Sequence, residues 1–213
     1  MKVFKIILVI LLVIIIICGA IYIFADGLMA DLYIKLGDSD LADGDIEQAL
    51  SNYSKALKRE PTNVDVCLTA SEWYAQIEEY TQAEQLLYDC IELVPEDYRL
   101  YSKLSAVYVR QDKLLDAVSL FEVITDETAK ADIEALRPAA PEFSVQSGSY
   151  NEYFSVAITV SEDCYCFYAF GDDYPSVNKQ NYIDPLEIGD GDTTITAIAI
   201  DMDGNVSELS TVT

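Results

Sequence analysis

Apolar residues follow three different rules along this chain. Residues 6–25 carry no charge at all, residues 30–131 repeat apolar positions at helical spacing, and beyond Phe143 apolar and polar residues alternate. The first rule predicts one continuous helix, because twenty residues at ~1.5 Å rise match a bilayer core of about 30 Å. Lys2 and Lys5 precede it and Asp26 and Asp31 follow it, which orients the N-terminus to the cytoplasm as a signal anchor over 1–25. A cleaved secretory signal is the alternative, with residues 6–17 as its apolar segment and Cys18-Gly19-Ala20 supplying small residues, so that the cut falls near Ala20. Ile21-Tyr22-Ile23-Phe24 extends the apolar run past that cut and favours the uncleaved anchor. On either reading the bulk of the chain is extracytoplasmic, and on the first it is single-pass.

The second rule has a period. Ala49, Ala83 and Ala117 are spaced by 34 residues. Before them stand Leu36-Gly37, Ala70-Ser71 and Leu104-Ser105, each an apolar residue followed by a small one; after them come Tyr53, Leu87 and Phe121, then Ala56, Cys90 and Ile124. Pro61 and Pro95 close the first two copies, while Ala129 stands in the third. Such a period predicts helix–turn–helix units that bury apolar faces against their neighbours, over 30–63, 64–97 and 98–131. Asp126 is placed to cap a further helix over 126–137, with Ala129, Ile133 and Leu136 on one face and Pro138 ending it. Pro138-Ala139-Ala140-Pro141 then forms a short stiff linker over 138–141.

Those residues resemble the tetratricopeptide repeat family, in which the small positions let paired helices approach and the large ones fill the gap. The sequence departs from the family where Asp40 replaces a tyrosine, Glu78 and Asp112 replace an inter-helix glycine, and Cys90 and Ile124 replace a small alanine. The resemblance implies a scaffold that binds proteins in a concave groove lined by the first helix of each repeat. Carried over by position, that groove comprises Asp31, Ile34, Asp38 and Leu41 in the first repeat, and Asp65, Leu68, Glu72 and Ala75 in the second. The third repeat offers Arg99, Ser102, Ala106, Val109 and Arg110. Its charge runs from acidic to basic, which would orient an extended segment or a helix. The lysines and asparagines with which some relatives clamp a C-terminal carboxylate are absent from the matching positions.

The third rule predicts a small antiparallel β-sandwich over 141–213. Phe154-Ser155-Val156-Ala157-Ile158-Thr159-Val160 and Thr194-Ile195-Thr196-Ala197-Ile198-Ala199-Ile200 alternate, and glycines punctuate the segment. Pro141-Glu142-Phe143-Ser144, Gly148-Ser149-Tyr150, Tyr168 with Pro175, and the stretch from Asp201 to Ser207 resemble the chitobiase/β-hexosaminidase C-terminal domain family. The family's Asp-Gly turn is Gly171-Asp172 here. The resemblance implies a spacer or a glycan-contacting module without catalytic residues. Exposed aromatic rings can stack on sugar faces, and Tyr174 and Tyr182, in loops, are the candidates for glycan contact. Asp201-Met202-Asp203-Gly204-Asn205 echoes part of a calcium loop but lacks the distal glutamate, so a hairpin turn is expected.

Composition narrows the chemistry. Thirteen basic residues against 37 acidic ones give a net charge of −24, which disfavours nucleic acid and anionic lipid as partners. Without histidine the usual general base near neutral pH is missing, as are histidine-bearing zinc sites. Of five cysteines, Cys67 and Cys90 occupy apolar repeat positions as small hydrophobes with a disulfide between them as an alternative, and Cys164 and Cys166 share one strand face. No cofactor, metal site or enzymatic activity is expected. The combined expectation is a bacterial surface protein: a transmembrane helix, an all-α solenoid of three helix pairs plus a capping helix, and a β-sandwich. It would act as a membrane-anchored scaffold or adaptor for a protein partner. The alternative is an attachment protein whose β-module contacts cell-wall or host glycan, with the repeats as a stalk.

Overall fold

The computed structural model describes residues 2–150 and 153–213, without the side chains of 2–10, 18 and 20–24. Among the described residues, seven helices, α1 (Lys2–Asp43), α2 (Ile46–Arg59), α3 (Val64–Gln76), α4 (Tyr80–Leu93), α5 (Tyr98–Arg110), α6 (Leu114–Val123) and α7 (Glu127–Leu136), precede the strands. These are β1 (Glu142–Phe143), β2 (Phe154–Val156), β3 (Ile158–Thr159), β4 (Tyr165–Phe170), β5 (Leu186–Ile188), β6 (Ile195–Ile200) and β7 (Ser210–Val212). The chain divides into two compact units, with the boundary between Tyr74 and Ala75.

In the first unit, the expected anchor and the first helix of the first repeat are one helix. Nothing between residues 25 and 41 breaks it, and Arg59 pairs with Asp26 across the expected junction. It stops at Gly44, which takes φ +82°, and Asp45 then caps α2 by accepting from Gln48 N at 3.0 Å. The span expected over 1–25 falls mainly on side chains outside the described set. Among the described residues, no helix is long and apolar enough to cross a membrane. Residues 11–17 expose apolar side chains at seven consecutive positions, and Leu28, Leu32 and Leu36 are exposed further along.

The periodic positions are the core. Ala49, Ala83, Ala117, Leu87, Leu104, Ser71 and Ser105 are fully buried, and Tyr53, Ala56 and Phe121 nearly so. Each large side chain removed from water contributes about 1.5–3 kcal/mol. Leu36 departs from the pattern and is 43% exposed. Glycine at 37 allows Tyr53 to lie against α1, where an added Cβ would stand 2.7 Å from the ring. The inter-helix positions 44, 78 and 112, one period apart, all take positive φ, with Glu78 at +62° and Asp112 at +60°. Glu78 and Asp112 thus keep the left-handed conformation that Gly44 takes, at a cost of about 1–2 kcal/mol each. Asp126 caps α7 as expected, accepting from Thr128 N and Ala129 N at 2.9 Å.

In the second unit, the strands form three small antiparallel sheets, ordered β1-β3, β2-β5 and β4-β6-β7. The alternating run 154–160 was expected as one strand but serves two sheets. It breaks at Ala157, whose N–H takes the Ser144 hydroxyl as acceptor and whose carbonyl accepts from Ser144 N. β4 and β6 are the long pair, in register from Tyr165 opposite Ile200 to Phe170 opposite Ile195. Val156, Ile158, Cys166, Leu186, Ile195, Ala197 and Val212 pack together as one core cluster. All six residues of β6 are buried, so both of its faces are covered.

Candidate protein-binding surface

In the first unit, α1 and α3 carry seven of the expected groove residues. Asp31, Asp38 and Asp65 are exposed, while Ile34, Leu41, Leu68 and Glu72 are half-buried. Asp38 has a structural task as well, because Tyr53 donates its hydroxyl to Asp38 Oδ1 at 2.7 Å. Burial, then that bond and the nearby Asp38 and Asp40 charges, raise the Tyr53 pKa well above the ordinary tyrosine value. Carboxylates beside partly exposed aliphatic side chains can hold a segment that alternates basic and apolar residues.

The third-repeat positions are used differently. Arg99 is clasped by its own N-cap residue, donating from Nε to Asp97 Oδ1 at 2.9 Å and from Nη2 to Asp97 Oδ2 at 2.7 Å. These hydrogen bonds hold the Asp97 carboxyl below its usual pKa. The basic end expected from Arg99 is thus largely balanced locally. Ser102, Ala106 and the neighbouring Ser105 are met by the turn after β6: Ser102 Oγ donates to Asn205 Oδ1 and Ser105 Oγ to Gly204 O, each at 2.8 Å. Val109 is half-buried and Arg110 exposed. Nearby, Asp112 accepts from Ser176 Oγ at 2.6 Å and from Val177 N at 2.8 Å. Sequence reasoning missed this coverage, since it read the sheet region as a separate module on a linker.

The tetratricopeptide repeat family model matches residues 40–87. Small glutamine-rich tetratricopeptide repeat-containing protein 2 of Saccharomyces cerevisiae is 27% identical over 101 residues, covering 47% of this chain and 29% of its own length. The chain therefore spans under a third of that relative. Among solved structures, the N-terminal domain of stress-induced protein-1 from C. elegans is similar at TM-score 0.43 and 21% identity, over 53% of this chain and 97% of its own. The first such domain of Spaghetti (RPAP3), bound to an HSP90 peptide, is similar at TM-score 0.41 and 17% identity, over 52% and 91%. The likeness to tetratricopeptide repeats thus lies in the helical segment, with the family model matching residues 40–87. The sheet region stands on its geometry alone, as small antiparallel sheets.

Beyond the repeats, the 201–205 segment is a hairpin turn. Asp201 Oδ1 accepts from Asp203 N at 2.9 Å and Asn205 N at 2.8 Å, and Oδ2 accepts from Asn205 Nδ2 at 2.9 Å. Its carboxylate is thus engaged in shaping the turn, and no metal-holding cluster occurs among the described residues. Of the two candidate glycan contacts, Tyr174 is exposed. Tyr182 is built into the sheet region: its hydroxyl accepts from Ile158 N at 3.1 Å, and its ring meets Tyr168 edge-on with centroids 6.4 Å apart. Two other rings, Tyr150 and Tyr153, line an open cleft of about 630 Å³ together with Asp190 and Asp192. Tyr153 donates its hydroxyl to Asp190 Oδ2 at 2.9 Å. Their exposure depends on how the β5–β6 loop returns, which local alternation does not encode.

Cys67 and Cys90 are disulfide-bonded, so they do more than fill apolar repeat positions. Cys164 and Cys166 are free thiols. Burial pushes the Cys166 thiol up to about 11, and burial with the Asp201 and Asp163 charges also raises Cys164.

Proposed function

We propose that this protein is a membrane-anchored, extracytoplasmic scaffold that binds the extended, basic segment of a protein partner through the inner face of its first two repeats. The observation that carries this reading is the set Asp31, Asp65 and Glu72 beside the half-buried Ile34, Leu41 and Leu68. Acidic side chains give orientation and speed of encounter, and the aliphatic ones give contact area. Support for the anchor comes from the charge-free stretch 6–25 and from residues 11–17, whose apolar side chains are exposed around a full helical circumference, an arrangement suited to lipid. Lys2 and Lys5 before the stretch support an outward-facing array, and the disulfide-bonded Cys67 and Cys90 fit an oxidising compartment.

Crosslinked affinity capture from intact cells tests the reading. Asp31→Lys with Asp65→Lys should abolish capture of specific proteins while helix content stays unchanged; undiminished capture would refute the groove assignment. A second reading, attachment to glycan through the sheet region, draws on the exposed Tyr150 and Tyr153 rings at the cleft and on the exposed Tyr174. Retention on immobilised cell-wall polysaccharide that is lost in Tyr153→Ala would support it, and no retention of the native chain would end it.

A further inference from the structure

The tip that meets α5 is stiff before it arrives. Asp201 accepts three hydrogen bonds from within the turn, and Gly204 holds φ +87° at its apex. At that apex a Cβ would lie 2.7 Å from Ala106 Cβ and 2.8 Å from Ala106 Cα. Only glycine permits so close an approach to the helix, quite apart from its φ. Ser102 and Ser105, four residues and one residue before Ala106 in α5, donate to Asn205 Oδ1 and Gly204 O. The residues that follow the apex are enclosed: Asn205 is 2% exposed, and Val206 and Ser207 are fully buried. Three flanking bonds extend it: Ser176 Oγ and Val177 N onto Asp112, and Arg137 Nε onto Val206 O at 3.1 Å.

We propose that the 201–205 turn is a built-in ligand of the third repeat, closing that repeat's inner face to partner segments and confining recognition to the first two repeats. Side-chain donors on the first helix of a repeat, aimed at a main-chain carbonyl and a carboxamide, make the same kind of contact that a bound peptide would receive. Tethering favours the internal occupant. A short linker holds the turn at an effective concentration on the order of millimolar, so a free segment of equal intrinsic affinity displaces it only above about that concentration. Preorganisation of the turn by Asp201 lowers the ordering cost further. The inference rests on the inner face being the partner surface, as proposed above.

The test uses the full chain in detergent with a protease site inserted after Ala139, in the 138–141 linker. After cleavage the two pieces should still co-elute on gel filtration. Separation of the wild-type pieces at micromolar concentration would overturn the proposal. Gly204→Val, which wedges the turn off Ala106, should weaken association of the cleaved pieces at least tenfold. The uncut Gly204→Val chain should also bind a fluorescent peptide of residues 198–208 at least tenfold more tightly than wild type does. Equal peptide binding by both folded chains would overturn the proposal as well. Should Gly204→Val fail to fold, Ser105→Ala replaces it in the cleaved chain, with an expected several-fold loss of association; unchanged association would count against the turn as ligand. Asp31→Lys with Asp65→Lys leaves co-elution intact whatever its effect on partner capture, so failure of the functional reading is distinguishable from failure of this one.

Discussion

Replacing Gly37 with valine drives three carbons into the contact between α1 and α2. A Cβ alone would stand 2.7 Å from Tyr53 Cε1 and 3.0 Å from Cδ1 and Cζ. Tyr53 is 1% exposed and is tied through its hydroxyl to Asp38 at 2.7 Å, so the ring cannot swing aside without abandoning that bond. Overpacking of this kind costs about 1–3 kcal/mol, and stranding the buried hydroxyl adds roughly 1–3 kcal/mol. Valine returns only a few tenths of a kcal/mol over glycine in helix propensity. The net is a loss of about 3 kcal/mol. Gly27 is the internal control, because in the same helix a Cβ there meets nothing within 4 Å; Gly27→Val should be neutral or slightly stabilising. Trp73, the sole tryptophan, lies in α3 of the same unit and reports its unfolding by fluorescence. With a urea dependence of about 2 kcal/mol/M, the midpoint of Gly37→Val should fall by about 1.5 M relative to Gly27→Val. Coincident midpoints would refute the close packing of Tyr53 on α1.

The left-handed inter-helix positions should respond oppositely to glycine: Glu78→Gly relieves strain and should stabilise by about 0.5–1 kcal/mol, whereas Asp112→Gly also removes the acceptor of Ser176 and Val177 and should destabilise by about 1–3 kcal/mol, both read by thermal melts. Tyr53 and Tyr108 have raised pKa values, chiefly from burial and then from their hydrogen bonds to Asp38 and Tyr88. Their protons are therefore held more tightly in the folded state, the stability they confer is complete below about pH 10 and declines as pH rises beyond it, and Tyr53→Phe should flatten that decline in an alkaline stability profile. Arg137 is almost wholly enclosed, with its guanidinium 3.9 Å above the Phe121 ring and Nε donating to Val206 O, so Arg137→Leu should cost about 2–3 kcal/mol in urea unfolding. Cys166, buried with its thiol pushed up to about 11, should resist iodoacetamide at pH 8 in the native chain and react once urea unfolds it; rapid native alkylation would contradict its place in the sheet core.

Much of the helical part is legible because its information is local and repeated. Ala49, Ala83 and Ala117 mark the core from spacing alone, and Asp126 announces α7 by its capping chemistry. The strands were located by alternation but not partitioned, since whether Ala157 continues a strand or changes sheets depends on Ser144, distant in sequence. The exposure of Asp31, Asp38 and Asp65 on α1 and α3 follows from helical phase. Their counterparts on α5 do not reveal that they are covered, because Ser102 and Ser105 look like ordinary small polar helix residues until Gly204 and Asn205 arrive from a hundred residues away.

By itself, then, the sequence determined the charge-free run, the 34-residue period, the switch from helical to strand periodicity and the acidic excess. Each is a property of neighbours along the chain, where propensity and phase act directly. Tertiary structure decided what such neighbours cannot: that α1 runs unbroken to Asp43, that Tyr182 serves the sheet core, and that the turn at Gly204 and Asn205 bonds to Ser102 and Ser105 of α5. Those outcomes depend on close approach between distant segments, and a glycine at 204 acquires its meaning only from the alanine at 106 that it meets.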